Sequence, residues 1–75
     1  MEKTVNYYMN LPYVLEMWRD EDGDWIVRVP LLKGLMTHGN TREHALEMLD
    51  EAMALWLEVA LERGMEIPEP QVEKV

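Results

Sequence analysis

The chain has no cysteine and no serine among its 75 residues. Without cysteine there is no disulfide and no thiolate metal ligand. Without either residue the usual nucleophile–histidine pairs are excluded, and Thr37 beside His38 is a sequence neighbourhood rather than such a pair. The lack of cysteine is compatible with a reducing cytosol, so a cytoplasmic location is expected. Apolar runs are short. None approaches the roughly 20 residues that cross a bilayer, and no charged-then-apolar leader opens the chain, so no membrane contact is expected. Positive charge is scarce: seven Lys and Arg stand against fifteen Asp and Glu, a formal net charge of −8. Phosphate backbones repel carboxylates, so no direct nucleic-acid binding is expected from this chain. Solubility alone is one account of such acidity; where the charges fall bears on the other.

The length fits one small domain, residues 1–75, with an ordered core over roughly 11–69 and loose termini. Residues 1–10 read as a loosely packed start and 70–75 as a disordered end. A lone core of this size rarely supplies more than about 3–5 kcal/mol. Self-association or a partner is therefore expected.

The pattern along the chain is that of a small antiparallel sheet followed by a helix. Residues 12–20 and 24–29 read as strands, joined by Glu21-Asp22-Gly23 as a three-residue hairpin loop with Gly23 in the left-handed position. That loop sets Glu16 opposite Arg28 and Trp18 opposite Ile26, with Leu15, Met17, Trp25, Val27 and Val29 on the other face. Pro30 has no N–H and ends the second strand. Gly34 and Gly39 mark positive φ or close backbone approach. Residues 35–38 read as a third strand, and Asn40 or Thr41 caps a helix over 41–63. Gly64 closes that helix, and residues 65–68 form a candidate edge strand before Pro68 and Pro70.

At about 100° per residue, the helix carries one apolar arc roughly 200° wide, formed by Ala45, Leu46, Met48, Leu49, Ala52, Met53, Leu55, Trp56, Leu57, Val59 and Ala60. A helix lying on one sheet needs little more than about 100°. At roughly 34 Å it also outruns strands of about 20–30 Å. Leu55, Trp56, Val59 and Ala60 are therefore the candidate homodimer contacts. The opposite face carries Glu43, Glu47, Asp50, Glu51, Glu58 and Glu62, with Arg42 and Arg63 as the helix's basic residues, at its ends. Like charges four residues apart cost about 0.2–0.5 kcal/mol each. Such a face is either a solvated surface or a site for a basic partner.

Asp20-Glu21-Asp22-Gly23-Asp24 has the wrong spacing for a calcium loop, since Gly23 precedes Asp24 instead of following it and Leu31 stands at the twelfth position. It reads as a solvated hairpin tip that can also attract a basic protein. His38 and His44 lack a cysteine or a second-histidine motif, so no metal and no cofactor is expected. Trp25 and Trp56 read as core. Trp18 lies on the other sheet face. It is either an interface anchor or, as expected here, covered by the Tyr7-Tyr8 segment folding back.

The motifs carry a further reading. The turn Asp22-Gly23-Asp24-Trp25, the block from Pro30-Leu31-Leu32-Lys33-Gly34 through Gly39-Asn40-Thr41-Arg42-Glu43-His44-Ala45-Leu46, and the close Gly64-Met65-Glu66-Ile67-Pro68-Glu69-Pro70 together resemble the HicB family of bacterial antitoxins, as does Tyr7-Tyr8-Met9-Asn10-Leu11-Pro12-Tyr13. Departures from the family pattern are Lys33 for Pro, Leu35 for Cys, Asn40 for Asp and His44 for Glu. The resemblance implies an α+β fold, a reduced RNase H-like arrangement in the order β-β-β-α-β. It implies an antitoxin of a type II toxin–antitoxin system that binds a small, basic, mRNA-cleaving HicA-type toxin. RNase H-like nucleases converge carboxylates on metal ions. Here the acids cluster on a hairpin tip and an outer helix face, so no catalytic residues and no enzyme activity are expected. The partner-binding candidates are Glu43, Glu47, Asp50, Glu51, Asp20, Asp22 and Trp18. Many family members add a DNA-binding segment; the chain ends soon after Pro70, so the stand-alone form is expected. The alternative function is a homodimeric regulatory or scaffolding module with no cognate toxin.

Overall fold

The computed structural model describes residues 2–71. The elements are α1 (Val5–Met9), β1 (Glu16–Arg19), β2 (Trp25–Arg28), β3 (Met36–Gly39) and α2 (Arg42–Glu62). The three strands form an antiparallel sheet in the order β1-β2-β3, and α2 packs on one face of it. The fold is α+β in the order expected through the long helix.

The hairpin register is the expected one, with Glu16 opposite Arg28 and Trp18 opposite Ile26. Loop chemistry fixes it. Gly23 has φ +89°, which costs a residue without Cβ little. Asp20 N donates to Asp24 O at 2.9 Å, and Asp20 Oδ1 accepts from Asp22 N at 3.0 Å and Asp24 N at 2.9 Å. Arg28 Nε donates to Glu16 Oε1 at 2.6 Å across the strands. The strand ends are shorter than the apolar pattern suggests, and Leu15 is exposed rather than packed.

Past Pro30 the chain makes a compact loop. Val29 N donates to Leu35 O, Leu32 N to Val29 O and Leu35 N to Leu32 O. This folds Leu32 fully into the core, and Trp56 Nε1 donates to Lys33 O at 3.1 Å to hold the loop against α2. Thr41 is the N-cap of α2, its Oγ1 accepting from His44 N at 3.0 Å. His44 Nδ1 reaches back to accept from Asn40 N at 3.0 Å. The imidazole thus accepts from the residue before the cap, one position earlier than the donor a capping-box Glu reaches. At the other end, Gly64 N donates to Leu61 O and Met65 N to Ala60 O, with Gly64 at φ +65°, a Schellman close.

Two expectations are corrected. Residues 65–68 form no strand: the segment buries Ile67 in the core without a backbone ladder. Pro68 has no N–H to offer one. Of the start expected to be loose, residues 1–10, the described part from Thr4 to Asn10 is a capped and packed helix, and Met1 lies outside the described residues. Thr4 caps α1, and Tyr8 is only 5% exposed, inside the same core as Val27, Leu32, Leu49 and Leu57. A five-residue helix has no stability of its own; packing against α2 supplies it. The end expected to be disordered, residues 70–75, lies mostly outside the described residues.

The two ends of the described chain are clasped together. Tyr7 Oη donates to Glu69 Oε1 at 2.8 Å, Lys3 Nζ pairs with Glu69 Oε2, and Tyr13 Oη donates to Pro68 O at 2.6 Å. The bond from Lys3, and then that from Tyr7, holds the Glu69 carboxyl below its ordinary value of 4.5. A lowered folded-state value contributes stability above that ordinary value and loses it as pH falls through the folded one. Acidification is therefore expected to open the clasp, shifting the side-chain resonances of Lys3 and Tyr7 in an NMR titration while α1, held by Tyr8 in the core, stays helical. Glu69→Gln is expected to produce the same shifts at neutral pH, with little change in global stability because the groups are exposed. A flat titration would contradict the clasp.

Candidate partner-binding surfaces

The wide apolar arc of α2 divides in two. Ala45, Leu49, Met53, Leu57 and Ala60 are buried against the sheet. Met48, Ala52 and Val59 are only partly buried, and Leu55 is 62% exposed. These four recur at spacings of four, three and four residues. They make a narrow stripe along one flank of the helix, the pattern by which a helix presents anchors to a partner groove. Near its C-terminal end the stripe opens into a hollow lined by Leu55, Trp56, Val59, Ala60, Arg63 and Met65.

By the helical period, Glu62, Glu51, Glu58 and Glu47 run beside this stripe, and Glu43 and Asp50 lie farther round the helix. All six are exposed. Arg42 does not offset them on that face: its guanidinium lies over the Trp25 ring at 4.6 Å, turned toward the sheet. No Lys or Arg stands on α2 between Arg42 and Arg63.

The remaining candidates are dispersed. Asp22 is exposed at the hairpin tip, while Asp20 is half-buried and spends Oδ1 on the turn it caps. The tip lies beyond the Arg19–Trp25–Gly39 row, at the same end of the sheet as the start of α2. Trp18 is on the opposite side of the sheet and 42% exposed. The Tyr7-Tyr8 segment does not cover it, because Tyr8 enters the core on the α2 side. Among the proposed self-contacts, Ala60 is 2% exposed and Trp56 is tied to Lys33, so Leu55 and Val59 are the accessible pair. Sequence patterning missed Tyr8, Leu32 and Ile67 as core residues. Each lies in a segment too short or too irregular to show a period, so no local signal says which of its apolar residues turns inward.

No three His, Cys, Asp or Glu side chains converge to hold a metal ion among the described residues. His38 is exposed on the outer sheet face, and His44 is occupied at the helix cap. No helix among the described residues is long and apolar enough to cross a membrane.

Comparison with known proteins agrees with the motifs. Residues 11–75 match the family described as HicB_like antitoxin of bacterial toxin-antitoxin system. A UPF0150 protein of Thermoplasma acidophilum is 32% identical over 65 residues, covering 87% of this chain and 94% of that protein. A UPF0150 protein of Synechocystis sp. is 32% identical over 87% of this chain and 86% of its own length. Antitoxin HicB 2 of Photorhabdus laumondii is 34% identical over 85% of this chain, which spans 45% of that longer protein. No solved structure matches, so the RNase H-like likeness stands on the sequence motifs. With the family matched from Leu11 onward and its hairpin, punctuated loop and capped helix all in place, the chain belongs to the HicB-like antitoxin family of bacterial toxin–antitoxin systems.

Proposed function

We propose that this protein neutralises a basic, mRNA-cleaving toxin of the HicA type by direct protein contact in the cytoplasm, without catalysis of its own. The observation that carries the reading is the exposed flank of α2, where Met48, Ala52, Leu55 and Val59 form an apolar stripe beside a row of carboxylates. The stripe supplies area to desolvate, and the carboxylates supply charge complementary to an RNA-binding surface. Bound there, the row of negative charge takes the place of the phosphates the toxin would otherwise hold, and RNA is excluded. Glu43, Glu47, Asp50 and Glu51 are the acidic contacts, and Asp22 extends the field at the same end of the molecule.

The test is titration of the chain against a HicA-type toxin, preferably one encoded next to it, reading toxin affinity and RNA cleavage. Wild-type protein is expected to block cleavage with an affinity that falls as salt rises. The double variant Glu47→Lys/Glu51→Lys is expected to bind about 10- to 100-fold more weakly, at unchanged fold stability, since both positions are exposed. Failure of the wild type to bind or protect would sink the proposal and favour the toxin-free module. An unaffected double variant would move the site off α2.

A further inference from the structure

The hollow at the C-terminal end of the exposed α2 flank has a volume of about 360 Å³. Binding pockets span roughly 300–1,000 Å³, so this one suits a single bulky group rather than an extended cofactor. Its walls are held from three directions. Trp56 Nε1 donates to Lys33 O at 3.1 Å, which fixes the indole. The Schellman close bonds Met65 N to Ala60 O at 2.9 Å and turns Met65 back beside the last turn. Two residues on, Ile67 is buried in the core. Ala60 forms the buried floor, and Leu55 and Met65, 62% and 49% exposed, stand at the rim. A hollow with walls already in place needs little further ordering when it is filled.

We propose that this hollow receives one large apolar side chain of the basic toxin and is the main anchor of that contact. The inference rests on the antitoxin reading and adds to it where the binding energy lies. Charge selects the occupant. By the helical period Glu51, Glu58 and Glu62 lie along the Leu55 side of the hollow, while Arg63 lines the side toward the sheet. The matching group is therefore an aromatic or leucine-like side chain with Lys or Arg on one side of it. On the other side it carries a carbonyl or carboxylate oxygen for Arg63. A second copy of the chain fits poorly, since docking α2 flank against α2 flank sets these glutamates against their own like in a chain of net charge −8. A protein of opposite sign meets no such cost. Apolar anchors seated in water-excluding hollows carry most of the energy of an interface, whereas exposed charges act on encounter and orientation. The two ends of the flank thus divide the work. The hollow holds the toxin, and the carboxylates steer it.

The experiment is titration calorimetry of the full chain against a HicA-type toxin at low and at high salt. Val59→Trp fills the hollow with an indole and adds no charge. It is expected to weaken toxin binding at least about 30-fold at both salt concentrations. Glu58→Lys/Glu62→Lys is expected to weaken binding about 10-fold at low salt and far less at high salt, where exposed charges are screened. Far-UV circular dichroism reports whether each variant folds. Met65→Gln, at the exposed rim, decides the matter with an expected loss of about 5-fold if Val59→Trp does not fold. Folded hollow variants that bind at full strength, with Glu47→Lys/Glu51→Lys impaired, overturn the anchor and leave the antitoxin reading standing. A wild type that binds no toxin sinks both. Light scattering on the chain alone covers the other occupant: a Val59→Trp mass below that of the wild type means a second copy fills the hollow, and the proposal falls.

Discussion

Gly39→Ala is expected to cost this protein about 3 kcal/mol or more, close to the whole stability available to a chain of its size. Gly39 is buried where β3 meets the first turn of α2. A Cβ built there would lie 2.4 Å from Ala45 N, 2.7 Å from Ala45 Cα and 2.7 Å from the His44 carbonyl carbon. These are backbone atoms of a capped helix, with no rotamer to yield. The helix must lift from the sheet, and Ala45 and Leu49, at 0% and 2% exposure, lose their packing. Gly34→Ala is the control. Gly34 has φ +83° and nothing within 4 Å of the added carbon, so only left-handed strain applies, about 1–2 kcal/mol. Urea denaturation followed by circular dichroism is expected to leave Gly34→Ala folded with a lowered midpoint and Gly39→Ala largely unfolded without denaturant. Equal midpoints would contradict the close approach of β3 and α2.

Leu57→Ala is the second large effect. Leu57 is completely buried, on the face α2 turns to the core. Its truncation removes apolar contact and leaves a cavity that rigid neighbours fill only partly, costing about 3–4 kcal/mol. Leu55, two residues earlier on the same helix, is 62% exposed, and Leu55→Ala is expected to change stability by under about 0.5 kcal/mol. The same pair should reverse in a toxin-binding assay scored per folded molecule, where Leu55→Ala weakens binding and folded Leu57→Ala does not. Thermal or urea midpoints check the first half and titration calorimetry the second. If the two leucines cost the same stability, the division of the arc into buried and exposed halves is wrong.

The hairpin could be read residue by residue because its constraints are local. A three-residue loop ending in Gly23 permits one register, and alternation of side chains then fixes which residues face each other. The boundaries of α2 were equally local, written in Thr41 and Gly64. What escaped depends on distant parts of the chain. Tyr8 is buried because α2 is there to receive it, and a helix of one turn has no period to detect. Leu32 enters the core because three backbone bonds fold its loop inward. Residues 65–68 have the composition of an edge strand, but Ile67 finds a core slot instead of a ladder. For the candidate site, the row of carboxylates on α2 needed only the helical period. Which flank of the wide apolar arc stays exposed needed the sheet, the Trp56–Lys33 bond and the C-terminal segment together. The bare outer sheet face followed from the destination of Tyr8, a tertiary fact that leaves no mark on Trp18.

The molecule measures 42 × 35 × 18 Å, a slab as thick as one sheet and one helix layer. The exposed α2 flank and the outer sheet face draw on different residues, Met48, Ala52, Leu55 and Val59 for the one and Val14, Trp18 and Met36 for the other. A partner held by the helix flank would therefore leave Val14, Trp18 and Met36 uncovered, and the complex would still carry an apolar sheet face to water.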